Sequence, residues 1–260
     1  MKNTDVLVIG GSAAGFGAAL ASKSHYPEKS VILVRKEKNA AIPCGIPYIF
    51  GTLEKTEQDI LPDGGLIKAG VDILVNEVSS VDGEKKTCKL RDGEEISYDK
   101  LILATGSKPV VPGWLKGAQL ENVFTVPKDL AYLEVMKKKL AGMKDIVVIG
   151  AGFIGIEMSD ELKKTGKNVT LVELQPHVLP LAFDADLADE AETILKERGV
   201  NILTGKAVKE IIGKEKVEAV KIEYGDMVDI IKADAVILSV GYEPTTELAN
   251  TLDVAFNRDG

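Results

Sequence analysis

Three groups of residues have the types and spacing to do chemistry. Gly150, Gly152 and Gly155 form a GxGxxG turn in DIVVIGAGFIG (145–155). Gly10, Ser12 and Gly15 repeat it, with one change, in DVLVIGGSAAG (5–15). Cys44 stands in AIPCGIPYIFG (41–51). In such a turn the first glycine makes the tight bend, the second admits the backbone to a pyrophosphate, and the third lets helix and strand pack closely. The helix that follows offers unpaired N–H groups and about half a positive charge to the phosphates. Two such turns therefore predict two bound dinucleotides. The Cys-Gly-x-Pro order is compatible with a helix starting near Cys44, because proline is tolerated in a first helical turn. A thiol there is held more readily as thiolate. From spacing alone, a buried, inert cysteine is an equally good reading.

The second turn is complete. Glu173 ends the following strand, where a carboxylate would bind the ribose 2′-hydroxyl. A carboxylate there repels a 2′-phosphate, and Leu174 and Gln175 bring no cation. NADH is therefore expected ahead of NADPH. The first turn departs from the pattern. Serine takes the middle position, and the place of the acid is held by Arg35, followed by Lys36 and Glu37. The ribose contact is expected to shift to Glu37 or to the backbone. Ala13 and Ala14 in the first turn, and Phe153 and Ile154 in the second, open the two helices and lie against the expected ligands.

The elements that must position these residues are a duplicated unit. Gly10 and Gly150 are 140 residues apart, a domain-sized period. Each copy has an apolar β-branched run, the turn, a helical stretch and a second strand, Ser30–Val34 in one and Asn168–Val172 in the other. Two βαβ starts imply an α/β fold with two doubly wound, Rossmann-like domains in three ββα layers. Between the copies, Val71–Val75 and Thr87–Leu90 read as strands, Arg91–Glu94 as a hairpin turn, and Leu101–Ala104 as a buried strand. Pro109, Pro112 and Gly113 mark a boundary. The expected domains are 1–112, with 241–260 returning to it, and 113–240. In the second, Asp129–Leu140 and Ala185–Arg198 read as helices. Val200–Leu203, Ala207–Ile212, Val217–Tyr224 and Ala235–Val240 read as strands.

Bulk properties narrow the function. The 260 residues are 45% hydrophobic with a net charge of −8, and the charges are interspersed. The longest basic run, Lys137–Lys139, falls on a helical pattern, so no nucleic-acid or membrane surface is expected. No run reaches the ~18 apolar residues of a spanning helix, and no signal-peptide pattern opens the chain. With two cysteines, a reducing cytoplasm is the expectation. Cys44 and Cys88 are too far apart for a CxxC pair or a zinc knuckle, and no metal is expected.

In order, the motifs are the Gly-rich turn, CGIPY at Cys44, ATG at Ala104-Thr105-Gly106, GAGFIGIE at 150–157, the acid Glu173 and SVGYEPTTELA at 239–249. This set resembles the pyridine nucleotide–disulfide oxidoreductases over the whole chain. It is most similar to their single-cysteine branch of coenzyme A-disulfide reductases, polysulfide reductases and NADH oxidases. The resemblance implies FAD on the first turn, with contacts at Val78, Ala104, Thr105, Gly106 and Gly241. It implies NADH on the second, with Phe153 as an aromatic gate and Glu157 at the nicotinamide pocket. Hydride would pass from NADH to the flavin, and electrons on to Cys44 as it cycles between thiolate and a mixed disulfide or persulfide.

Three departures qualify the resemblance. Oxygen- and peroxide-reducing members carry a histidine where this chain has Ala13; His25 and His177 lie outside the motifs. Ala40 and Pro43 replace the polar residues that often precede the cysteine in CoA-disulfide reductases. The family also continues beyond Gly260 with a further flavin contact and a dimerisation domain. A shortened form of a homodimeric enzyme is therefore expected. The expected reaction is NAD(P)H-dependent reduction of a disulfide, CoA-disulfide or polysulfide. Its rivals are an NADH oxidase, a nucleotide-binding chain without turnover, and a reductase of a small redox protein.

Overall fold

The computed structural model describes residues 2–257. β1 (Lys2–Ile9) runs into the turn at Gly10 and then α1 (Ala13–His25). The chain continues through β2 (Val31–Arg35), α2 (Gly64–Ala69), β3 (Asp72–Val75), β4 (Val78–Asp82), β5 (Thr87–Leu90) and β6 (Glu95–Leu103). The sheet order is β3-β2-β1-β6-β5-β4. Strands β3, β2, β1 and β6 are parallel, and β6-β5-β4 form an antiparallel meander. Alternation of side chains sorts the core into two layers. Val8, Val31 and Leu33 pack with Ala19 of α1 and Leu66 of α2. Leu7, Ile9, Ile32 and Val34 face the opposite way, into Val81, Cys88, Leu90, Ile96 and Tyr98 of the meander. Because both faces of the parallel strands are covered, Val6–Ile9 of β1 and Val31–Val34 of β2 read as continuous apolar runs. Gly93, at φ +92°, closes the hairpin between β5 and β6.

β7 (Ser107–Pro109) leads into the second Gly-rich half. There follow β8 (Val123–Thr125), α3 (Leu130–Ala141), β9 (Asp145–Ile149), α4 (Phe153–Lys164), β10 (Asn168–Val172), α5 (Ala185–Glu197) and β11 (Asn201–Leu203). Next come β12 (Ala207–Gly213), β13 (Val217–Tyr224), β14 (Met227–Lys232) and β15 (Ala235–Leu238), and β16 (Tyr242–Pro244) ends the run. The parallel sheet has the order β11-β10-β9-β15-β8, and β12-β13-β14 form a separate antiparallel sheet. Val147, Ile149, Val172, Val236 and Leu238 of the parallel sheet pack against Val208, Ile211, Val217, Val220 and Ile222 of the meander. α3 starts where the Asp129 carboxylate accepts the N–H groups of Ala131 and Tyr132, satisfying donors a helix start leaves unpaired.

By contacts the chain divides into two compact units: the described residues of Met1–Pro43, Ile60–Lys108 and Pro244–Gly260, and then Cys44–Asp59 with Pro109–Glu243. The divisions run at Lys108/Pro109 and Glu243/Pro244, a few residues from the expected 112/113 and 240/241. The cysteine segment 44–59 groups with the second unit instead of the span 1–112. In the first unit Leu248 and Leu252 pack on the meander; residues 258–260 of the expected return lie outside the described residues. The helix expected near Cys44 is a 3-10 helix, Pro43–Phe50, because Pro47 lies within it and has no N–H to donate. Strands β4, β7, β8, β14 and β16 and helix α2 were not evident in the sequence. β14 lies at a sheet edge with few buried positions, so it lacks the alternating pattern that marks a half-buried strand. Among the described residues no helix is long and apolar enough to cross a membrane.

Candidate functional site

In the first unit, Gly10 adopts φ +111°, and a Cβ there would lie 2.0 Å from the Ala104 carbonyl oxygen. A Cβ on Gly15 would lie 1.8 Å from the Gly10 carbonyl oxygen. These two glycines close β1 on β6 and α1 on its own turn. Ser12 is the N-cap residue of α1, yet its hydroxyl makes no capping bond. The first-turn N–H groups at Ala13 and Ala14 are therefore left without a side-chain acceptor. Thr105 Oγ1 donates to the Thr245 carbonyl at 2.6 Å, and Gly106 turns at φ +72°. Val78 opens β4, half-buried.

Arg35 ends β2 and is 4% exposed. Its guanidinium donates to both carboxylate oxygens of Asp63, at 2.6 Å each, and to the Lys38 carbonyl at 2.6 Å. Its stem lies over Gly11, where a Cβ would meet Arg35 Cδ at 2.5 Å. Arg35 is therefore an internally paired brace beneath the turn, with one buried donor, Nε, unpartnered. Lys36 pairs with Glu77 at 2.8 Å, and Glu37 is exposed.

In the second unit, Gly150 turns at φ +97°, with its would-be Cβ 2.6 Å from the Ser239 carbonyl oxygen. Ser239 Oγ donates to the Ile149 and Gly150 carbonyls at 2.9 and 2.8 Å. A Cβ on Gly155 would lie 1.8 Å from the Gly150 carbonyl oxygen. Gly152 is different. It is the N-cap of α4 at φ −71°, and a Cβ there would meet nothing within 4 Å. Nothing in the polypeptide requires glycine at 152, so the space above it stands open, as a pyrophosphate cradle must. Glu173 is buried at the end of β10. Its carboxylate accepts the Ala151 N–H at 2.7 Å and the Gln175 N–H at 2.8 Å. Leu179 has φ +51°, rare for a bulky residue, and its N–H donates to the Ala151 carbonyl at 2.8 Å. That bond ties segment 174–183 to the turn. The exposed ring of Phe153 meets Phe183 edge-on, with centroids 6.0 Å apart. Ile154 follows Phe153 in the first turn of α4, and Glu157, a turn further on, is half-buried. Burial first, then the nearby Glu161, raises the Glu157 pKa. Gly241 turns at φ +120° after β15.

Cys44 is exposed near the start of its 3-10 helix, whose Ile46, Pro47, Ile49 and Phe50 are buried. The following loop is held by the α4 residue Glu161, which accepts from Thr52 Oγ1 at 2.8 Å, and by Lys137 of α3 on the Leu53 and Glu54 carbonyls. Cys88 is buried, and burial pushes its thiol up to about 11, so it is the inert one of the two. The structure groups Gly150, Gly152, Phe153, Gly155, Glu157, Glu173 and Cys44 in the second unit, and Gly10, Ser12, Gly15, Arg35, Val78 and Thr105 in the first. The partners Asp63, Leu179 and Phe183 were not found from the sequence. Their contacts span loops, and no local pattern announces them.

Two strand–glycine–helix turns, each on its own parallel sheet backed by a meander, define a double-Rossmann α/β protein. The model of the family described as pyridine nucleotide-disulphide oxidoreductase matches residues 4–260. The chain belongs to that family. An NADH oxidase of Methanocaldococcus jannaschii is 35% identical over 256 residues, covering 94% of this chain and 55% of its own length. An NAD(P)H coenzyme A polysulfide/persulfide reductase of Pyrococcus horikoshii is 36% identical, covering 98% and 57%. The solved structure of an NAD-dependent persulfide reductase from A. fulgidus superposes with a TM-score of 0.86 at 30% identity, covering 97% of this chain and 49% of that one. The chain thus spans about half the length of these relatives.

Proposed function

We propose that this chain binds FAD through its first unit and NADH through its second, and acts in the reduction of a small disulfide, CoA-disulfide or polysulfide at Cys44. The observation that carries the reading is the open space at Gly152, beside an α4 N-terminus and a buried carboxylate. The uncapped start of α1 and the orphaned Arg35 Nε support a ligand at the first turn. The names of the M. jannaschii, P. horikoshii and A. fulgidus relatives support the redox class and the sulfur acceptor.

In this reading, the first-turn N–H groups of α1 at Ser12, Ala13 and Ala14 receive one pyrophosphate. Those of α4 at Gly152, Phe153 and Ile154 receive the other. Glu173 already accepts two backbone N–H groups, which fix its rotamer, and its remaining lone pairs take ribose hydroxyls. Its charge excludes a 2′-phosphate. Phe153 and Glu157 lie toward the nicotinamide. Val78, Ala104, Thr105 and Gly106 contact the flavin nucleotide, and Glu37 or the backbone after Arg35 its ribose; Gly241, the other expected flavin contact, belongs to the second unit. The flavin, when bound, supplies a two-electron acceptor for hydride. Cys44 supplies an exposed thiol that forms and releases a sulfur–sulfur bond.

The absorption spectrum of the purified protein tests this directly. A flavin band that bleaches on anaerobic NADH addition is the expected result, and colourless protein that fails to take up FAD overturns it. Cys44→Ser is expected to keep flavin reduction and lose disulfide or polysulfide turnover. The name of the M. jannaschii relative favours a second reading, NADH oxidase, in which oxygen consumption survives Cys44→Ser.

A further inference from the structure

Taking Cys44 as the redox thiol, on which this rests, we propose that Glu161 is its positioning residue: the buried carboxylate fixes the register in which the cysteine segment docks on α4. Glu161 lies in the third turn of α4 and is 2% exposed. Burying a carboxylate costs free energy unless it is paired and hydrogen-bonded. Here both oxygens are engaged. Oε1 accepts from Lys164 Nζ at 2.6 Å, and Oε2 accepts from Thr52 Oγ1 at 2.8 Å. Lys164 Nζ also donates to Thr52 Oγ1 at 3.2 Å, which closes the three groups into a ring. Lys164 itself is 43% exposed and has a second carboxylate, Asp160, at 3.5 Å. The group that needs this arrangement is therefore Glu161.

The backbones approach as closely as the side chains. A Cβ on Gly51 would lie 2.2 Å from the Glu161 carbonyl oxygen and 2.6 Å from its Oε2. Any side chain at 51 would push the segment off α4. The last glycine of AIPCGIPYIFG thus has a reason that nucleotide binding does not supply.

A run of hydrogen bonds leads from this contact back toward the thiol. The Tyr48 carbonyl accepts the N–H groups of Gly51, Thr52 and Leu53 at 3.4, 3.0 and 2.7 Å. These bonds close the loop onto the 3-10 helix Pro43–Phe50, which carries Cys44. The tail closes on the same helix. Asp59 is 2% exposed, and its Oδ1 lies 1.7 Å from where a Cβ on Gly45 would stand. Its Oδ2 has no hydrogen-bond partner among the described residues, and burial raises its carboxyl pKa.

The apolar contacts of Ile46, Ile49 and Phe50 are buried but non-directional. They would hold the segment in more than one register. A buried charge with both oxygens bonded accepts one, because a slip would leave it unpaired. Lys137 and Glu134 of α3 hold the tail at Leu53, Glu54 and Thr56, so loss of Glu161 frees the register without detaching the segment. α4 is also the helix that opens at Gly152. Phe153 and Glu161 are about 12 Å apart along it. One rigid element therefore carries both the open turn and the latch that places the thiol.

Glu161→Met separates positioning from stability, because an apolar side chain in place of a buried ion-pair member is often neutral for folding. Amide hydrogen exchange of the full chain reads the segment directly. The Thr52 and Leu53 N–H groups are expected to exchange at least tenfold faster in Glu161→Met, with the rest of α4 unchanged. Thr52→Val should reproduce the effect, and the double variant should add little to either. Glu161→Gln keeps an acceptor for Thr52 Oγ1 and should restore most of the protection. Unchanged exchange at 52 and 53 in both single variants, or an equal rise throughout α4, overturns the proposal. With flavin bound, Glu161→Met is expected to lower kcat for sulfur turnover three- to tenfold and leave KM for NADH unchanged. If Cys44→Ser keeps full sulfur turnover, the redox reading fails, while the exchange result still decides the latch.

Discussion

With Oε2 on the Ala151 amide and Oε1 on that of Gln175, Glu173 is both part of the turn and a presented acceptor. Replacing it therefore has two effects. Glu173→Ala combined with Leu174→Arg is expected to move the ratio of NADPH to NADH affinity at least tenfold toward NADPH, read by fluorescence titration. It also leaves two backbone donors unpaired, at a cost of roughly 1–3 kcal/mol in stability. Asp59 predicts a pH dependence of opposite sign to the usual carboxylate. Its folded-state pKa is raised to about 6 from 3.8, so its favourable contribution is present below pH 3.8 and is lost as pH rises through 6. Relative to wild type, Asp59→Asn should gain on the order of 2–3 kcal/mol of unfolding free energy between pH 3 and pH 7. Urea denaturation at both pH values measures this, and a gap that does not widen contradicts the raised pKa.

At the scale of elements, the two glycine turns separate what the fold requires from what a ligand requires. Gly10, Gly15, Gly150 and Gly155 are forced by backbone carbonyls that a Cβ would strike. Gly152 alone in its turn is free of such a neighbour. Gly152→Ala is therefore expected to change stability by about 1 kcal/mol or less while weakening NADH at least tenfold. Gly155→Ala should lower stability by several kcal/mol or prevent folding, since helix and strand must separate. Equal damage from both in thermal melts would remove the argument for an open cradle. The cysteine segment makes a related point. Pro47 turns it into a 3-10 helix, and Thr52, Leu53 and Thr56 fasten its tail to α3 and α4. That anchoring assigns 44–59 to the second unit, although by sequence it lies between β2 and β3 of the first.

At the scale of the whole molecule, each unit has its own sheet, meander and core, so a nucleotide that binds one unit should stabilise that unit. NADH at a hundred times its Kd is expected to add about 2.7 kcal/mol to the unfolding of the second unit. The gain should appear as a raised transition in calorimetry that Gly152→Ala shrinks. What the sequence by itself determined was whatever short-range pattern controls. The duplicated strand–turn–helix starts, the acid at Glu173, the hairpin at Gly93 and the strands of both parallel cores other than β8 follow from periodicity and glycine spacing, which act within about ten residues. Tertiary structure alone decided where distant groups meet. It paired Arg35 with Asp63, strained Leu179 to hold Ala151, set Phe183 against Phe153, and left Asp59 unpartnered beneath Gly45. These outcomes depend on which loops pack together and which charges lose water, and burial is a property of the folded chain that no window of sequence contains.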